Sequence, residues 1–383
     1  MGRKVLISIV SDQTIPNVLF IKDFKEMDEY VFLSTEKMEQ QNQTEKIIKS
    51  SGLDKTKCHI EKIHESDIDE IKKVLTNIPL SQDAEFIVNI TGGTKIMSLA
   101  VYDFFSKFKN SVIFYMPIGE NGYQKIFPET ENLKAINFKV SLQNYLSAYG
   151  VEIKKQSATT KDLNFLNTFK TELFNNYRNE IAFLIKLQND RPIKKVLEKK
   201  GEIDWNDIRV HEFVHKNSGI YLLDNIDKLF KSCGFNDGVM IKSKSLRFIT
   251  GGWFEELAYS LVKENLKISD EQIALGTEVI KDNDNRKKNE FDVAFISNNS
   301  LYIIECKTSM ESEVKGLFAE TVYKQAAIRK DLGLSAQSYL FTLDKVDNID
   351  HIKRAETLGI KIIDLTVLND SGKLEETFFK KFK

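Results

Sequence analysis

Short apolar runs that end in polar turns, each followed by helical spacing, dominate the first third of the chain. The β-branched run over 5–10 leads into a turn rich in Ser, Asp, Gln and Thr, and the run over 86–90 leads into the turn 91–94 before a helix that begins near Lys95. Continuous apolar runs of this length are typical of buried parallel strands. The pattern predicts an α/β sheet with both turns at its carboxyl edge, where doubly wound folds bind ligands.

The second turn, Thr-Gly-Gly-Thr-Lys, has features that suit phosphate or nucleotide binding. Gly92 and Gly93 permit close approach of the backbone, and the amino terminus of the next helix exposes unpaired N–H groups. The turn is neither a P-loop nor a dinucleotide fingerprint. On this motif alone, a threonine-capped helix after a glycine turn is an equal alternative.

The last third contains a pair of strands with acidic residues. Glu305 and Lys307 lie two residues apart on an apolar strand, so both project to one face while Cys306 projects to the other, and Asp292 precedes this strand. Carboxylates from Asp292 and Glu305, with the backbone carbonyl of Cys306, would offer hard oxygen ligands to Mg²⁺ or Mn²⁺. Lys307 would orient a water or neutralise a phosphate. The alternative is an ordinary cross-strand ion pair on an edge strand.

A predicted helix over 251–266 precedes these strands. Its apolar residues recur at i, i+3, i+4 and i+7, and Glu255 and Glu256 flank that stripe. Together with the Glu-Cys-Lys sequence at 305–307, this arrangement resembles the PD-(D/E)xK nuclease superfamily. The resemblance implies a restriction-endonuclease-like fold and metal-dependent cleavage of phosphodiester bonds.

The same resemblance implies roles for particular residues. The catalytic set would be Asp292, Glu305, Lys307, Glu255, Glu256 and Gln325, and the metal ligands would be Asp292, Glu305, the Cys306 carbonyl and Glu255. The family's usual spacing after Gly251 favours Glu255, with Glu256 as the alternative. Gln325 lies on a predicted helix over 320–329 that would face the phosphate, and Tyr323 and Lys324 are weaker candidates on that helix.

The two turns of the first third carry a second resemblance. The sequence S-D-Q-T-x-P-N after the first strand, with T-G-G-T-K-x-M after a later one, is similar to CRISPR-associated Rossmann-fold (CARF) sensor domains, which dimerise and bind cyclic oligoadenylates. The implied ligand contacts are Ser11, Gln13, Thr14, Asn17, Thr91, Gly92, Gly93, Thr94, Lys95 and Met97.

A sensor followed by a nuclease resembles the CRISPR ancillary nucleases that cyclic tetra-adenylate activates. The implied protein is a homodimer that cleaves DNA, RNA or both once the activator is bound. Two other classes stay open: an unregulated restriction or repair-like nuclease, and a binding-only sensor with a silent nuclease fold. Intact Asp292, Glu305 and Lys307 disfavour the silent form.

The predicted organisation is a Rossmann-like doubly wound sensor domain over 1–140, a helical connector or insertion over 141–244, and an α/β nuclease domain over 245–383. Helical spacing through 142–149 and 165–174, and a lysine-rich segment that stops at Gly201, support the connector. We expect the connector to couple the geometry of the sensor dimer to the placement of the nuclease.

Composition limits the partners. Fifty-five Lys and Arg against 56 Asp and Glu give a net charge of −1, so nucleic-acid contacts must come from local basic patches such as 242–247 and 281–288. The three cysteines and the pair His211 and His215 do not match disulfide or zinc patterns. Neither a signal peptide nor an apolar run of roughly 20 residues is evident, so we expect no membrane partner and a cytoplasmic location.

Overall fold

The computed structural model describes residues 2–24, 26–81, 83–209, 220–235, 240–281, 288–308 and 317–382. The pair His211 and His215 and most of the basic stretch 281–288 lie outside these ranges. Within them the chain forms two large sheets, the first built from the first third of the chain and the second mainly from its last third. A mainly helical segment packs on the second sheet.

The first sheet is doubly wound. Its strands are β1 Lys4–Ile9, β2 Glu29–Ser34, β3 Cys58–Lys62, β4 Glu85–Asn89, β5 Ser111–Tyr115, β6 Gly122–Phe127 and β7 Lys134–Ala135, in the spatial order β3-β2-β1-β4-β5-β6-β7. Strands β1 to β5 run parallel, and β6 and β7 are antiparallel. The chain crosses from β3 at the edge to β4 beside β1, so the strand order reverses between β1 and β4, which creates a switch point for ligands.

Helices cover both faces of this sheet, as its continuous apolar strands require. They are α1 Ile15–Asp23, α2 Glu36–Gln40, α3 Gln43–Ser51, α4 Ile68–Asn77, α5 Lys95–Phe105 and α6 Leu142–Ala148, with a 3-10 turn at Lys55–Lys57. Helix α5 begins where the sequence predicts, because the Thr94 hydroxyl accepts a hydrogen bond from the Met97 N–H at 3.2 Å and caps the helix.

A strand interrupts the segment that was expected to be a helical connector. β8 Val151–Ser157 pairs antiparallel with the second sheet and forms its edge. Only Val151 of this strand is buried, and lysines occupy positions 154 and 155, so the alternation that reveals a strand is weak in the sequence. The structure therefore adds a strand of the second sheet to the segment that the sequence predicts as a helical connector or insertion.

The rest of that segment is mainly helical. It contains α7 Leu163–Thr168, α8 Phe174–Asn176, α9 Arg178–Asn189, α10 Arg191–Lys200, α11 Trp205–Arg209, α12 Ile220–Ser232 and α13 Ser243–Arg247, with π turns at Phe169–Leu173 and Phe248–Gly252. A small antiparallel pair joins β9 Glu202–Asp204 to β10 Met240–Lys242. Helix α10 ends at Gly201, which adopts the left-handed conformation (φ 76°), as the sequence predicts.

The second sheet contains the acidic strands. Its members β11 Ile273–Lys281, β12 Lys288–Ser297, β13 Ser300–Lys307, β14 Gln337–Thr342 and β15 Ile360–Ile363 stand in the order β15-β14-β13-β12-β11-β8. The accompanying helices are α14 Trp253–Leu266, α15 Leu317–Lys330, α16 Ile349–Thr357, α17 Leu365–Leu368 and α18 Ser371–Leu374, with short turns at Asp270–Gln272, Glu375–Phe379 and Lys380–Phe382.

Strands β12 and β13 form a tight hairpin. Ser297 pairs with Ser300 across a two-residue turn, and both turn residues, Asn298 and Asn299, have positive φ (47° and 57°). Two left-handed residues define the turn type whose twist matches a hairpin, and asparagine tolerates that conformation. The hairpin therefore has a fixed register between the catalytic candidates on its two strands.

The two sheets share one apolar cluster. It joins Phe20 and Phe114 of the first sheet's layer to Leu301 and Ile303 of β13, with Tyr145 of α6 between them, and all five side chains are buried. A continuous apolar interface resists relative motion more than a polar one does. The first sheet and the β12–β13 hairpin are therefore packed against each other directly.

Candidate functional sites

Glu305, Lys307 and Gln325 meet on one face of β13. Lys307 Nζ lies 2.7 Å from Glu305 Oε1, which confirms that the two side chains share a face. Gln325, on α15, donates from Nε2 to Glu305 Oε2 at 3.2 Å. Glu305 is only 6% exposed, so its charge is held by these two partners.

Asp292 lies beside this group on β12. Val293 pairs with Ile304, which places Asp292 across from Glu305, and Asp292 Oδ2 accepts the Cys306 N–H at 2.7 Å. Burial raises the pKa of the Asp292 carboxyl well above its usual value, and the negative charges of Glu305 and Glu255 raise it further. The structure therefore places the carboxyl groups of Asp292, Glu305 and Glu255 close together where water has little access.

The adjacent glutamates of α14 face different surroundings. Burial raises the pKa of Glu255, and Glu290 and Glu305 contribute to that rise, so Glu255 belongs to the acidic cluster. Glu256 instead accepts hydrogen bonds from the Thr160 N–H and hydroxyl, both at 2.8 Å, and from the Lys161 N–H at 3.0 Å. One residue along a helix turns a side chain by about 100°. The candidate role of Glu256 in catalysis does not agree with these contacts, which anchor the segment before α7.

Lys307 provides the positive charge of the cluster. Burial lowers the pKa of its ammonium, but Glu305 and Asp292 raise it more, so the net shift is upward. The side chain is 30% exposed. A permanently protonated lysine at the edge of an acidic cluster can neutralise a phosphate that approaches from solvent.

The donor chemistry of the cluster fits a hard divalent cation. In the part of the chain that the structure describes, no three His, Cys, Asp or Glu side chains are grouped so that they could hold a metal ion. Burial first, and then the neighbouring carboxylates, raise the pKa of both Asp292 and Glu255. Carboxylate oxygens are the ligands that Mg²⁺ and Mn²⁺ prefer, and a cation would offset the repulsion among these acids.

A cavity of about 380 Å³ lies at the switch point of the first sheet. Five of the predicted contacts line it, three from the second turn and two from the first: Ser11, Gln13, Thr91, Gly92 and Gly93. A Cβ on Gly92 would lie 2.4 Å from the Ile9 carbonyl oxygen, and Gly93 has a φ of 75°. Only glycine permits this loop shape, so the backbone itself forms part of the cavity wall.

Three other predicted contacts are buried in the sensor fold instead. The Thr14 hydroxyl donates to the Ala148 carbonyl at 2.6 Å, and the Asn17 amide oxygen accepts from Ser8 (2.6 Å) and from Asn89 (2.9 Å). Met97 is 1% exposed and packs beneath Gly93. These side chains are absent from the cavity lining because they hold the two loops in place.

Thr94 and Lys95 are exposed but do not line the cavity. The Thr94 hydroxyl donates to the Glu65 carbonyl at 2.6 Å while it caps α5, and Lys95 is the first residue of that helix. Lys95 thus adds its charge to the positive end of the helix dipole.

The opposite wall of the cavity was not predicted. It includes the turn 116–121, Tyr149, the hairpin tip 298–300 and residues 334–335. The Asn-Asn pair at 298–299 between two apolar runs is a recognisable hairpin signal. Its position beside the sensor loops depends on packing between the two sheets, which no local pattern shows.

Among the described helices, none is both long and apolar enough to cross a bilayer.

Comparisons with solved structures place this fold among known ones. The chain is similar to the protein VC1899 from Vibrio cholerae, at 19% identity and a TM-score of 0.77 over 99% of this chain and 98% of that one. It is also similar to Can2 from Sulfobacillus thermosulfidooxidans in complex with cyclic tetra-adenylate, at 18% identity and a TM-score of 0.72 over the full length of both. No curated protein matches the chain.

Family models match both ends of the chain. Residues 5–145 match the Card1 CARF domain, and residues 242–381 match the Card1-like endonuclease domain. The first match covers the doubly wound sheet with its cavity, and the second covers the acidic cluster. The chain thus contains a Card1 CARF domain over 5–145 and a Card1-like endonuclease domain over 242–381.

Proposed function

We propose that this protein is a metal-dependent nuclease of CRISPR antiviral defence that a cyclic oligoadenylate switches on, with cyclic tetra-adenylate as the activator. The observation that carries the proposal is the meeting of Asp292, Glu305 and Lys307 at one place on β12 and β13, with Glu255 and Gln325 beside them. A structural sheet gains nothing from buried like charges, whereas phosphodiester hydrolysis uses them.

In the proposed reaction Asp292, Glu305 and the Cys306 carbonyl would hold Mg²⁺ or Mn²⁺, with Glu255 as a further ligand. When bound, the ion would neutralise charge at the phosphate and lower the pKa of a water molecule. Lys307 neutralises the phosphate or orients the water, and Gln325 holds Glu305 in position through its 3.2 Å hydrogen bond.

Glu305 has a protein partner on each carboxylate oxygen, Lys307 on Oε1 and Gln325 on Oε2. These two contacts hold the buried carboxylate in one orientation. Each oxygen keeps a further lone pair with which Glu305 would hold the ion, and the partly exposed Lys307 ammonium would meet the phosphate.

The activator is assigned to the cavity beside Gly92. Support comes from the match to the CARF domain family and from the fold shared with Can2, whose structure contains cyclic tetra-adenylate. Uncharged side chains and open backbone form most of the cavity lining, together with the carboxyl side chains of Asp12 and Glu120. Such a lining suits a ring of nucleotides that needs hydrogen bonds to bases and sugars. Lys95 and the start of α5 lie nearby for a phosphate.

The active assembly in this proposal is a homodimer. A two-fold symmetric ring matches an isologous interface between two sensor domains. The ring must bind the active arrangement more tightly than the resting one, since otherwise no activation follows. The substrate is nucleic acid, DNA, RNA or both.

Cleavage assays on the full-length protein test this function. Supercoiled plasmid, single-stranded DNA and single-stranded RNA are incubated with Mn²⁺, with and without cyclic tetra-adenylate, beside the Glu305→Ala variant. We expect cleavage that needs the activator and disappears in the variant. Cleavage that ignores the activator would support an unregulated nuclease, and nucleotide binding without cleavage of any substrate would support a binding-only sensor.

A further inference from the structure

The tip of the β12–β13 hairpin is fastened to the sensor part of the chain by one side chain. Asn299 Nδ2 donates to Asn121 Oδ1 and to the Phe138 carbonyl, both at 2.8 Å, and Asn299 Oδ1 accepts the Val140 N–H at 2.8 Å. Asn299 is 6% exposed. Its amide is thus used on both sides to bridge positions far apart in the sequence, which fixes where the tip lies.

The same tip forms a wall of the nucleotide cavity. Residues 298–300 and Asn121 line the cavity together with Ser11 and Gly92. A second link lies on the same wall, where Leu334 N donates to Gln13 Oε1 at 2.8 Å. A ligand that fills the cavity therefore meets the nuclease part of the chain as well as the two sensor loops.

The hairpin continues from this wall to the catalytic cluster without a break. Asp292 lies on β12 and Glu305 on β13, seven and six residues from Asn299, which corresponds to roughly 20 Å along the strands. Both strands are paired along this length and pack in the apolar cluster shared with the sensor sheet. Rigid, paired elements of this kind can carry a displacement between two sites.

We propose that the bound activator touches the hairpin tip and that Asn299 transmits its binding to the strands that hold Asp292 and Glu305. This inference rests on the proposed function, because it concerns how that nucleotide reaches that active site. Asn299 is a positioning residue here, since it contacts neither the metal ligands nor the scissile phosphate. The Asn121–Asn299 hydrogen bond is the contact that joins the cavity wall at Asn121 to the tip of the β12–β13 hairpin.

The chain offers a matched pair of variants. Asn299→Gly removes all three bridging hydrogen bonds, and glycine accepts the φ of 57° and suits this turn type. Asn42→Gly makes the same exchange at an exposed asparagine with positive φ (56°) that does not line this cavity, and it leaves the bridge intact. Asn121→Ala removes only the bond between Asn121 and Asn299.

The measurements are the dissociation constant of cyclic tetra-adenylate and the cleavage rate at saturating nucleotide divided by the rate without it. Couplings between sites are typically about 5–150-fold. We expect Asn299→Gly to bind the nucleotide within about threefold of wild type and to lose at least about tenfold of the stimulation. Asn42→Gly should keep its stimulation within about twofold of wild type. Asn121→Ala should lose part of the stimulation. The double variant of Asn121 and Asn299 should lose no more stimulation than Asn299→Gly alone, because the two residues share one hydrogen bond.

Different failures have different meanings. Equal stimulation of wild type and Asn299→Gly at saturating nucleotide overturns the inference and leaves the proposed function standing. A wild type that binds the nucleotide without any stimulation overturns both. If Asn299→Gly loses its thermal unfolding transition, Asn121→Ala decides the question, and full stimulation in that variant overturns the inference. A purely structural role would lower cleavage with and without nucleotide alike and leave their ratio unchanged.

Discussion

The acidic cluster around Glu305 and the cavity beside Gly92 lie at opposite ends of the same hairpin but are built on different principles. The cluster combines charged side chains of the hairpin and of α14 with the amide of Gln325 on α15. The cavity is lined mainly by uncharged side chains and backbone, together with the carboxyl side chains of Asp12 and Glu120, from six separate stretches between residues 11 and 335. In the proposed function, chemistry at the cluster depends on charge, whereas recognition at the cavity depends mainly on shape.

This difference decides how each site responds to substitution. In the proposed function, the loss of one carboxylate of the cluster removes a participant in the reaction, and neighbouring positions are not equivalent, because Glu255 and Glu256 have different surroundings. At the cavity, a buried side chain such as Asn17 is expected to matter as much as a lining residue, because its hydrogen bonds shape the loop. The following experiments test that contrast, from the largest expected effect to the smallest.

Replacement of Glu305 by Gln should have the largest effect on cleavage. The amide keeps the shape of the side chain but removes the charge that pairs with Lys307 and is proposed to bind the metal. We expect a fall on the order of 10²–10³-fold in single-turnover cleavage with Mn²⁺, and nucleotide binding that equals wild type. Residual cleavage within tenfold of wild type would contradict the role of Glu305.

The adjacent glutamates provide the sharpest test within the cluster. Glu255→Gln should lower cleavage by about 10–100-fold, as the loss of a metal-supporting group does. Glu256→Gln should leave cleavage within about threefold but lower the free energy of unfolding by about 1–3 kcal/mol, because its amide cannot accept from all of its Thr160 and Lys161 donors.

Rates and chemical denaturation, measured on both variants, separate these roles. Reversed results, with Glu256→Gln inactive and stable, would assign the metal to Glu256.

Gly92→Ala tests whether the cavity depends on shape. The added Cβ would meet the Ile9 carbonyl oxygen at 2.4 Å, so the loop must move. We expect the affinity for cyclic tetra-adenylate to fall at least tenfold, the equivalent of about 1.4 kcal/mol. Lys95→Ala is the matched variant that removes a charge from the same motif. We expect it to lower the affinity less than Gly92→Ala does, and we expect this loss of affinity to decrease as the salt concentration rises. Equal affinities of wild type and Gly92→Ala in calorimetry would place the ligand elsewhere.

Asp292→Asn should show the smallest but most diagnostic change, in stability. The folded protein without metal raises the pKa of Asp292, so it holds that proton more tightly than the unfolded chain does. Its free energy of unfolding therefore falls as pH rises from the unfolded pKa through the raised folded pKa. Above that window the Asn variant, which carries no charge, should be more stable by roughly 1 kcal/mol, or roughly 2–4 °C in Tm.

Thermal unfolding in EDTA across pH, with exposed Asp83→Asn as the control, measures this effect. Mn²⁺ should then stabilise wild type and not Asp292→Asn. A variant less stable than wild type at neutral pH would show that the Asp292 charge is already balanced by protein groups.

The sequence predicted much of the catalytic cluster because its signals are local. Alternation along β13 puts Glu305 and Lys307 on one face, and the helical stripe of α14 narrows the third acid to two positions. It could not choose between Glu255 and Glu256, because that choice depends on the rotation of α14 against the sheet. The ligand contacts predicted from the two turns likewise include residues that line the cavity, such as Ser11, and residues that are buried away from it, such as Asn17.

By itself the sequence determined the strands and helices that carry both motifs, the turn chemistry at Gly92 and Gly93, and the residue types available for each reaction. Only the tertiary structure decided that β8 completes the second sheet, that Glu256 anchors a neighbouring segment, and that Asn299 joins the hairpin tip to the sensor. The physical reason is range. Periodicity and turn preferences act over a few residues, whereas these contacts join residues about 95 to 180 positions apart through strand pairing and hydrogen bonds between separate elements.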